Sequence, residues 1–407
     1  MTEMVETTSY FPLGQVGLLP REEMLETGRK KKRVSIGIPK ETWRFESRVP
    51  LTPQGVELLV ENGHTVLFES GAGEPAHYFD HDFSECGARI VKSRNEVFEA
   101  DIILKVSRLS EAEIELLHSR QLVITLLSMY NQTRESIQHM LDKKVNALAF
   151  ELLKDDNGCF PVIRSMSEIE GSAAVMIAAE YLSKAHNGKG VLLGGVTGIS
   201  PTEMVILGAG TAGEFAARAA LGLGVSVKVF DNSYRSLREL ERNVGQRLFS
   251  SVLHPPALTK ALQSADAVLG SLRYLESGRS FLITEEQVSQ MKPGSIIIDL
   301  SMDQGGCFES SMCTDFDQPV YNKHGVVHYC VPNIASRVSR TASIALSNIF
   351  APILLRIGEA GGIHQIIKED MGISHGVYLY KGILTNSLIG NRFNIPFKDI
   401  GLLMAAF

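Results

Sequence analysis

The chain has 407 residues, 44% hydrophobic and 21% charged, enough for two or three globular domains whose cores need no disulfide staples. A formal net charge of −6 argues against general nucleic-acid binding. Five scattered cysteines with no C-x-x-C fit reduced thiols in a cytoplasm, and no metal site is expected.

Residues 1–33 read as an N-terminal extension. Its basic run Arg29–Arg33 fits a solvated linker better than a nucleic-acid or targeting patch, and its acidic start lacks a signal-peptide core. From Val34 the pattern is α/β. Strands are expected at 34–38, 65–69, 88–91, 101–106, 121–127 and 146–152, and helices at 52–62, 94–100, 111–118 and 133–144. Thr52-Pro53 supplies an N-cap and a first-turn proline. A long apolar helix is expected from Ser167 to about His186, then a glycine-rich turn at 193–198. Later come strands at 204–207, 225–230, 265–270, 295–300 and 326–331, with helices from 236 to about 247 and at 284–291. A second long helix, from Ser339 to about Ile357, is the expected return path to the first half. Apolar runs such as Ser343 to Leu355 fall short of a bilayer span, so no membrane partner is expected.

Strands alternating with helices predict parallel sheets covered on both faces. The expected fold class is α/β, with two doubly wound Rossmann-like domains separated by a cleft and bridged by the two long helices. The division is 34–168, completed by 340–407, for one domain and 169–339 for the other.

Residues 204–231 carry the most specific signal. The apolar run Met204–Leu207 leads into Gly208-Ala-Gly-Thr-Ala-Gly213, a helix-forming segment, a second apolar run and Asp231. Gly208 allows the tight turn, Gly210 lets a pyrophosphate approach the backbone, and Gly213 lets helix and strand pack closely. The helix N-terminus offers unpaired N–H groups to the phosphate. Asp231, 18 residues after Gly213, suits a ribose 2′-hydroxyl and points to NAD. Arg235 and Arg238 keep a 2′-phosphate, and so NADP, open.

Several other residues can carry chemistry in the cleft. Arg48 can grip a carboxylate through two hydrogen bonds, although local sequence favours a plain surface arginine. Lys105, closing the run Asp101-Ile-Ile-Leu, can bind a carboxylate or polarise a carbonyl; a strand-capping lysine fits equally well. Asp303, in the loop after the strand at 295–300, is a better acid–base candidate than Asp299, which suits a satisfied structural acid. His328 is favoured as a packed histidine.

With these pieces placed, the chain resembles the alanine dehydrogenase family, which shares its fold with the NAD-binding subunit of proton-translocating transhydrogenase. The resemblance runs from about Val34 to the C-terminus. It rests on G-I-P-K-E at 37–41, S-R-V-P-L-T-P at 47–53, E-S-G-A-G at 69–73, I-L-K-V at 103–106, M-S-E-I at 166–169, L-G-G-V-x-G at 193–198, G-A-G-T-A-G at 208–213 and D-Q-G-G-C-F-E at 303–309. It implies NAD-dependent interconversion of L-alanine with pyruvate and ammonium, Arg48 and Lys105 as substrate-binding residues, and Asp303 as the catalytic acid. It implies coenzyme contacts at Ser167, Asp231, Leu272, Asp303 and the 331–334 stretch, Val331 and Asn333 included, and a homo-oligomer, often a hexamer. One position departs from the family pattern. The family's catalytic histidine, in an F-L-H motif, is replaced by Ser128 in Leu126-Leu-Ser-Met. A serine cannot become cationic, which opens the alternatives of weak alanine turnover, another small amino or 2-oxo acid, a substitute such as His328, or a non-catalytic NAD(H)-binding protein.

Overall fold

A computed structural model describes residues 32–272 and 282–406, with the side chains of Tyr130, Asp303 and Ala406 outside that description. All but the last two residues of the N-terminal extension fall outside it as well.

Six strands of the first half alternate with helices: β1 (Ser35–Ile38), β2 (Thr65–Glu69), β3 (Arg89–Val91), β4 (Ile102–Leu104), β5 (Leu122–Thr125) and β6 (Asn146–Ala149). Every residue of β4, β5 and β6 is buried, as expected of strands covered on both faces. The second half contributes β7 (Glu203–Leu207), β8 (Ser226–Phe230), β9 (Phe249–Ser251), β10 (Ala267–Gly270), β11 (Ile296–Asp299), β12 (Val320–Lys323) and β13 (Val326–Tyr329). The chain then returns to add β14 (Val377–Tyr380) and β15 (Ile383–Leu384) to the first sheet. The sheet orders are β15-β14-β6-β5-β4-β1-β2-β3 and β12-β13-β11-β10-β7-β8-β9.

Both sheets are parallel except at one edge. β14 runs antiparallel to β6 and to β15, and β12 runs antiparallel to β13. The parallel interior follows from the strand–helix alternation, and the antiparallel edges follow from tight turns. His324 (φ 55°) and Gly325 (φ 74°) join β12 to β13 in a two-residue hairpin. A histidine at the first left-handed position is not a usual hairpin signal, so the sequence did not announce β12. The three-residue β9 and the helix Pro255–Ser264 were likewise unanticipated.

Three helices position the site. Helix α1 (Pro161–Leu182) begins six residues earlier than the apolar pattern suggested, because Pro161 occupies the first helical turn, where no N–H is needed. Its Val162 and Met166 belong to the first core, and Ala174 to Leu182 to the second. Helix α2 (Thr211–Gly222) packs against α1 at Gly171, where a Cβ would lie 2.1 Å from the Ala212 carbonyl oxygen. The chain crosses back at Ile334 and Ala335, the one in the second core and the other in the first. It then continues into α3 (Ser339–Glu359), whose Ala342, Leu346, Phe350 and Leu354 fill the first core. Residues 334–359 are long and apolar enough to cross a membrane by length and composition, more than the apolar run at 343–355 indicated, and half of their most apolar 18-residue stretch is buried in the fold.

Candidate active site

The candidate residues follow the carboxyl ends of parallel strands, where open α/β sheets build their ligand sites. Arg48 lies in the loop after β1, Lys105 directly after β4 and Ser128 after β5. Gly208, Asp231, Leu272, Asp303 and Val331 follow β7, β8, β10, β11 and β13. The two carboxyl edges meet. Ser47 N donates to Ser336 Oγ at 2.8 Å, Asn333 Nδ2 donates to Glu46 Oε2 at 3.0 Å, the Phe45 and Phe316 rings meet edge to face at 5.8 Å, and Arg44 pairs with Asp317.

Arg48 is not a plain surface residue; its side chain is 11% exposed. Glu46 grips it side-on, Nε to Oε1 at 2.7 Å and Nη2 to Oε2 at 2.6 Å. Burial alone would raise the Glu46 pKa, but the Arg48 charge and its hydrogen bonds hold it below the usual carboxylate range. A guanidinium has five N–H donors, so this pairing leaves the Nη1–Nη2 end able to take a second carboxylate. Nη1 at that end donates to Met166 Sδ at 3.5 Å, a weak contact that an incoming carboxylate has to displace.

Lys105 has no exposed surface. Its ammonium lies 2.8 Å from Glu41 Oε2 and 3.3 Å from Glu113 Oε1, and Glu113 also meets Arg94 at 3.1 Å. Burial pushes the Glu41 carboxyl up, with Lys105 opposing. This is more than a strand cap, yet a ligand can meet Lys105 only after neighbouring groups shift. Ser128 adopts a left-handed backbone (φ 47°) and accepts from Asn131 Nδ2 at 2.9 Å. Beneath it, Glu151 accepts the Leu127 and Ser128 N–H groups at 2.9 and 3.0 Å, and burial raises its pKa.

Asp303 lies at backbone level in a short 3₁₀ turn, and its side chain falls outside the described atoms. Asp299 holds that loop. Fully buried, it accepts from Ser301 N at 3.0 Å, Cys307 N at 2.7 Å and Ser311 Oγ at 2.7 Å, as a structural acid should. His328 is packed and satisfied, with Nε2 2.8 Å from Ser310 Oγ, Nδ1 3.0 Å from the Val326 carbonyl oxygen and its ring stacked on Tyr321. Burial lowers its pKa to about 4, so it is neutral at pH 7 and a poor substitute acid.

On the other edge the glycine turn fits a dinucleotide. A Cβ on Gly213 would stand 1.9 Å from the Gly208 carbonyl oxygen, so the helix packs closely there, whereas a Cβ on Gly210 would meet nothing within 4 Å. The open face at Gly210 lies at the N-terminus of α2. Asp231 is tied to this turn, accepting Ala209 N and Ser233 N, each at 2.7 Å on a different oxygen. That leaves lone pairs for ribose hydroxyls. Arg235 is turned to Glu239 at 2.8 Å. Ser167 and Val331 are buried, and the Leu272 carbonyl accepts from Ser301 Oγ at 2.8 Å. Among the described residues no cluster of three or more His, Cys, Asp or Glu side chains is arranged to hold a metal ion.

Residues 37–170 match the family model described as Alanine dehydrogenase/PNT, N-terminal domain, and residues 174–387 its C-terminal counterpart. The chain belongs to the alanine dehydrogenase/PNT family. A similar relative, alanine dehydrogenase 2 of Staphylococcus aureus (strain USA300), is 36% identical over 90% of this chain and 98% of its own. A solved L-alanine dehydrogenase superposes with a TM-score of 0.83 at 34% identity, covering 88% of this chain and 99% of that one. A transhydrogenase from Sinorhizobium meliloti shares the fold, with a TM-score of 0.74 at 24% identity over 87% of this chain and 99% of that one.

Within this alanine dehydrogenase/PNT chain the sequence reading missed the acids that hold the cations. Glu41 stands in the quoted G-I-P-K-E motif and Glu46 two residues before Arg48, but a pairing inside an irregular loop has no periodicity to betray it. Glu113 reaches Lys105 from a separate helix and left no signal at all.

Proposed function

We propose that this protein is an NAD-dependent amino-acid dehydrogenase that interconverts L-alanine with pyruvate and ammonium. The observation that carries the reading is the Arg48 guanidinium, held side-on by Glu46 with its other end able to take a carboxylate, on a loop that touches the coenzyme half. The family's substrate and coenzyme support it. NAD, when bound, supplies a nicotinamide that exchanges a hydride with the substrate Cα. The protein's residues bind, orient and move protons. Arg48 anchors the substrate carboxylate. Lys105 orients the carboxylate or carbonyl oxygen once its partners yield. Asp303 carries the proton of the attacking water and the leaving amine. Ser128 hydrogen-bonds a water or the substrate oxygen. Gly208, Gly210 and Gly213 admit the pyrophosphate, Asp231 binds the adenosine ribose, and Ser167, Leu272, Val331 and Asn333 line the coenzyme.

In this reading residues 34–168 with 340–407 form the substrate half and 169–339 the coenzyme half, in a homo-oligomer of cytoplasmic setting. Ser128, with an uncharged side chain that cannot supply a general acid at pH 7, favours as second reading a different small 2-oxo acid. Oxidation of NADH with pyruvate plus ammonium, followed by a panel of 2-oxo acids, separates the two. Turnover fastest with pyruvate is the expected result. Turnover only with another acid establishes the second reading, and NADH binding without any turnover leaves a non-catalytic binding protein.

A further inference from the structure

The loop that carries Arg48 is fastened to the coenzyme half through one carboxylate. We propose that Glu46 is a positioning residue that couples coenzyme binding to the substrate arginine, by sharing its carboxylate between Arg48 and the Asn333–Ser336 crossing. The inference rests on the reading of Arg48 and of the 331–334 stretch given above.

Glu46 is nearly inaccessible, its side chain 5% exposed. Oε1 accepts from Arg48 Nε at 2.7 Å, Arg48 N at 3.1 Å and Ser336 Oγ at 3.2 Å, and Oε2 from Arg48 Nη2 at 2.6 Å and Asn333 Nδ2 at 3.0 Å. Five donors meet a group with about four lone-pair sites. The carboxylate is therefore saturated, and its partners compete for it.

Two of the five donors come from the segment where the chain crosses between the halves. Asn333 sits four residues after the end of β13 in a left-handed conformation (φ 62°, ψ 48°). Ser336 Oγ, besides donating to Glu46, accepts Ser47 N at 2.8 Å. A coenzyme that draws the Asn333 amide to itself takes a donor from Oε2. The carboxylate charge is then shared among fewer groups, and Arg48 is held more firmly side-on with its other end directed at the ligand. Less ordering of Arg48 remains for the substrate carboxylate to impose, so coenzyme and 2-oxo acid bind with positive linkage, equal in both directions.

The test uses the full-length protein with NADH and pyruvate, ammonium being absent so that amination cannot occur. Calorimetry gives the pyruvate Kd with and without saturating NADH, and hydrogen exchange follows the amides of residues 43–49 under the same conditions. In the unsubstituted protein NADH should lower the pyruvate Kd by about five-fold or more and slow exchange at 43–49. Glu46→Gln, which keeps the shape but loses the charge, should bring the Kd ratio below about two-fold, at the low end of such couplings. Ser336→Ala, which removes one Glu46 donor and the Ser47 N acceptor but leaves the Glu46–Arg48 ion pair in place, should also reduce it and covers the case in which Glu46→Gln does not fold. Unchanged linkage in Ser336→Ala, or NADH leaving exchange at 43–49 unaltered in the unsubstituted protein, overturns the proposal. An exchange response that the variants lose, with no pyruvate binding in any condition, supports the linkage and removes the pyruvate reading instead.

Discussion

Lys105 sets the energetics at the strand ends of the first half. An ammonium with no exposure is tolerable only because Glu41 and Glu113 face it, and each carboxylate is held by the cations and by the N–H and O–H donors beside it. Lys105→Met should therefore remove both activity and stability. Taking one partner from a buried pair costs about 3–5 kcal/mol, readable as a lower urea midpoint. The double variant Lys105→Met/Glu41→Gln should regain part of that stability and none of the NADH turnover, which separates the fold role from the substrate role. His328 gives a second prediction of known sign. It titrates at about 4 in the fold against 6.5 ordinarily. Between those values the unfolded chain holds a proton that the folded chain lacks. Stability from this group is complete above pH 6.5 and is lost as pH falls toward 4, at up to roughly 1.4 kcal/mol per pH unit. Denaturation at a series of pH values should show this slope, reduced by about one proton in His328→Gln. The sequence named Lys105 and Arg48 because cations at strand ends are conspicuous. It concealed their carboxylates, because three-dimensional pairing between a loop, a strand end and a distant helix leaves no local pattern.

At the level of elements, the turn from β7 into α2 was the most legible part of the chain, because its requirements are local. A strand must turn tightly, a helix must start and, in the proposed reading, a phosphate must reach the backbone, and each demand falls on one glycine. The three glycines are nevertheless not equivalent, which only the structure reveals. Gly210→Ala meets no protein atom within 4 Å, and its φ of −78° suits any residue. Its melting temperature should stay near that of the unsubstituted protein while NADH affinity falls about ten-fold or more, since one methyl in the phosphate's path costs more than about 1.4 kcal/mol. Gly213→Ala puts a Cβ 1.9 Å from the Gly208 carbonyl oxygen and should lose stability as well as affinity. Thermal melts paired with NADH fluorescence titrations check both. Equal loss of affinity and stability in Gly210→Ala would place the diphosphate elsewhere. The early start of α1 and the β12–β13 hairpin were poorly legible for the opposite reason. A first-turn proline outside an apolar pattern and a histidine in a left-handed turn acquire meaning only from what they pack against.

Across the whole molecule, the two sheets are joined by α1, by the crossing at 334–338 and by the loop at 43–49. Of these the loop is the least buried and the most strained. Phe45 has a φ of 67°, a region that bulky residues seldom occupy. Its ring is held by Phe316 of the second half of the chain and by the Arg44 guanidinium 4.5 Å from its centroid. Strain of this kind costs on the order of 1–3 kcal/mol and persists only where surrounding contacts impose it. The aromatic contact between the two edges is worth about 0.5–1.5 kcal/mol beyond its buried area, whereas the exposed Arg44–Asp317 pair contributes little. The strain of the loop and the contact that holds it are therefore of similar size. Phe45→Ala removes the ring contact and keeps the backbone strain, so it should bias the halves apart. NADH should then bind and leave faster in stopped-flow fluorescence, and turnover should fall by several-fold because Arg48 and the nicotinamide meet less often. The single tryptophan, Trp43, stacks under Arg108 at 4.1 Å in the same loop and reports the change directly. Its emission should respond to NADH in the unsubstituted protein and much less in Phe45→Ala. Identical NADH kinetics in the two proteins would show that the clasp does not limit closure, leaving α1 and the 334–338 crossing as the hinge elements to substitute next.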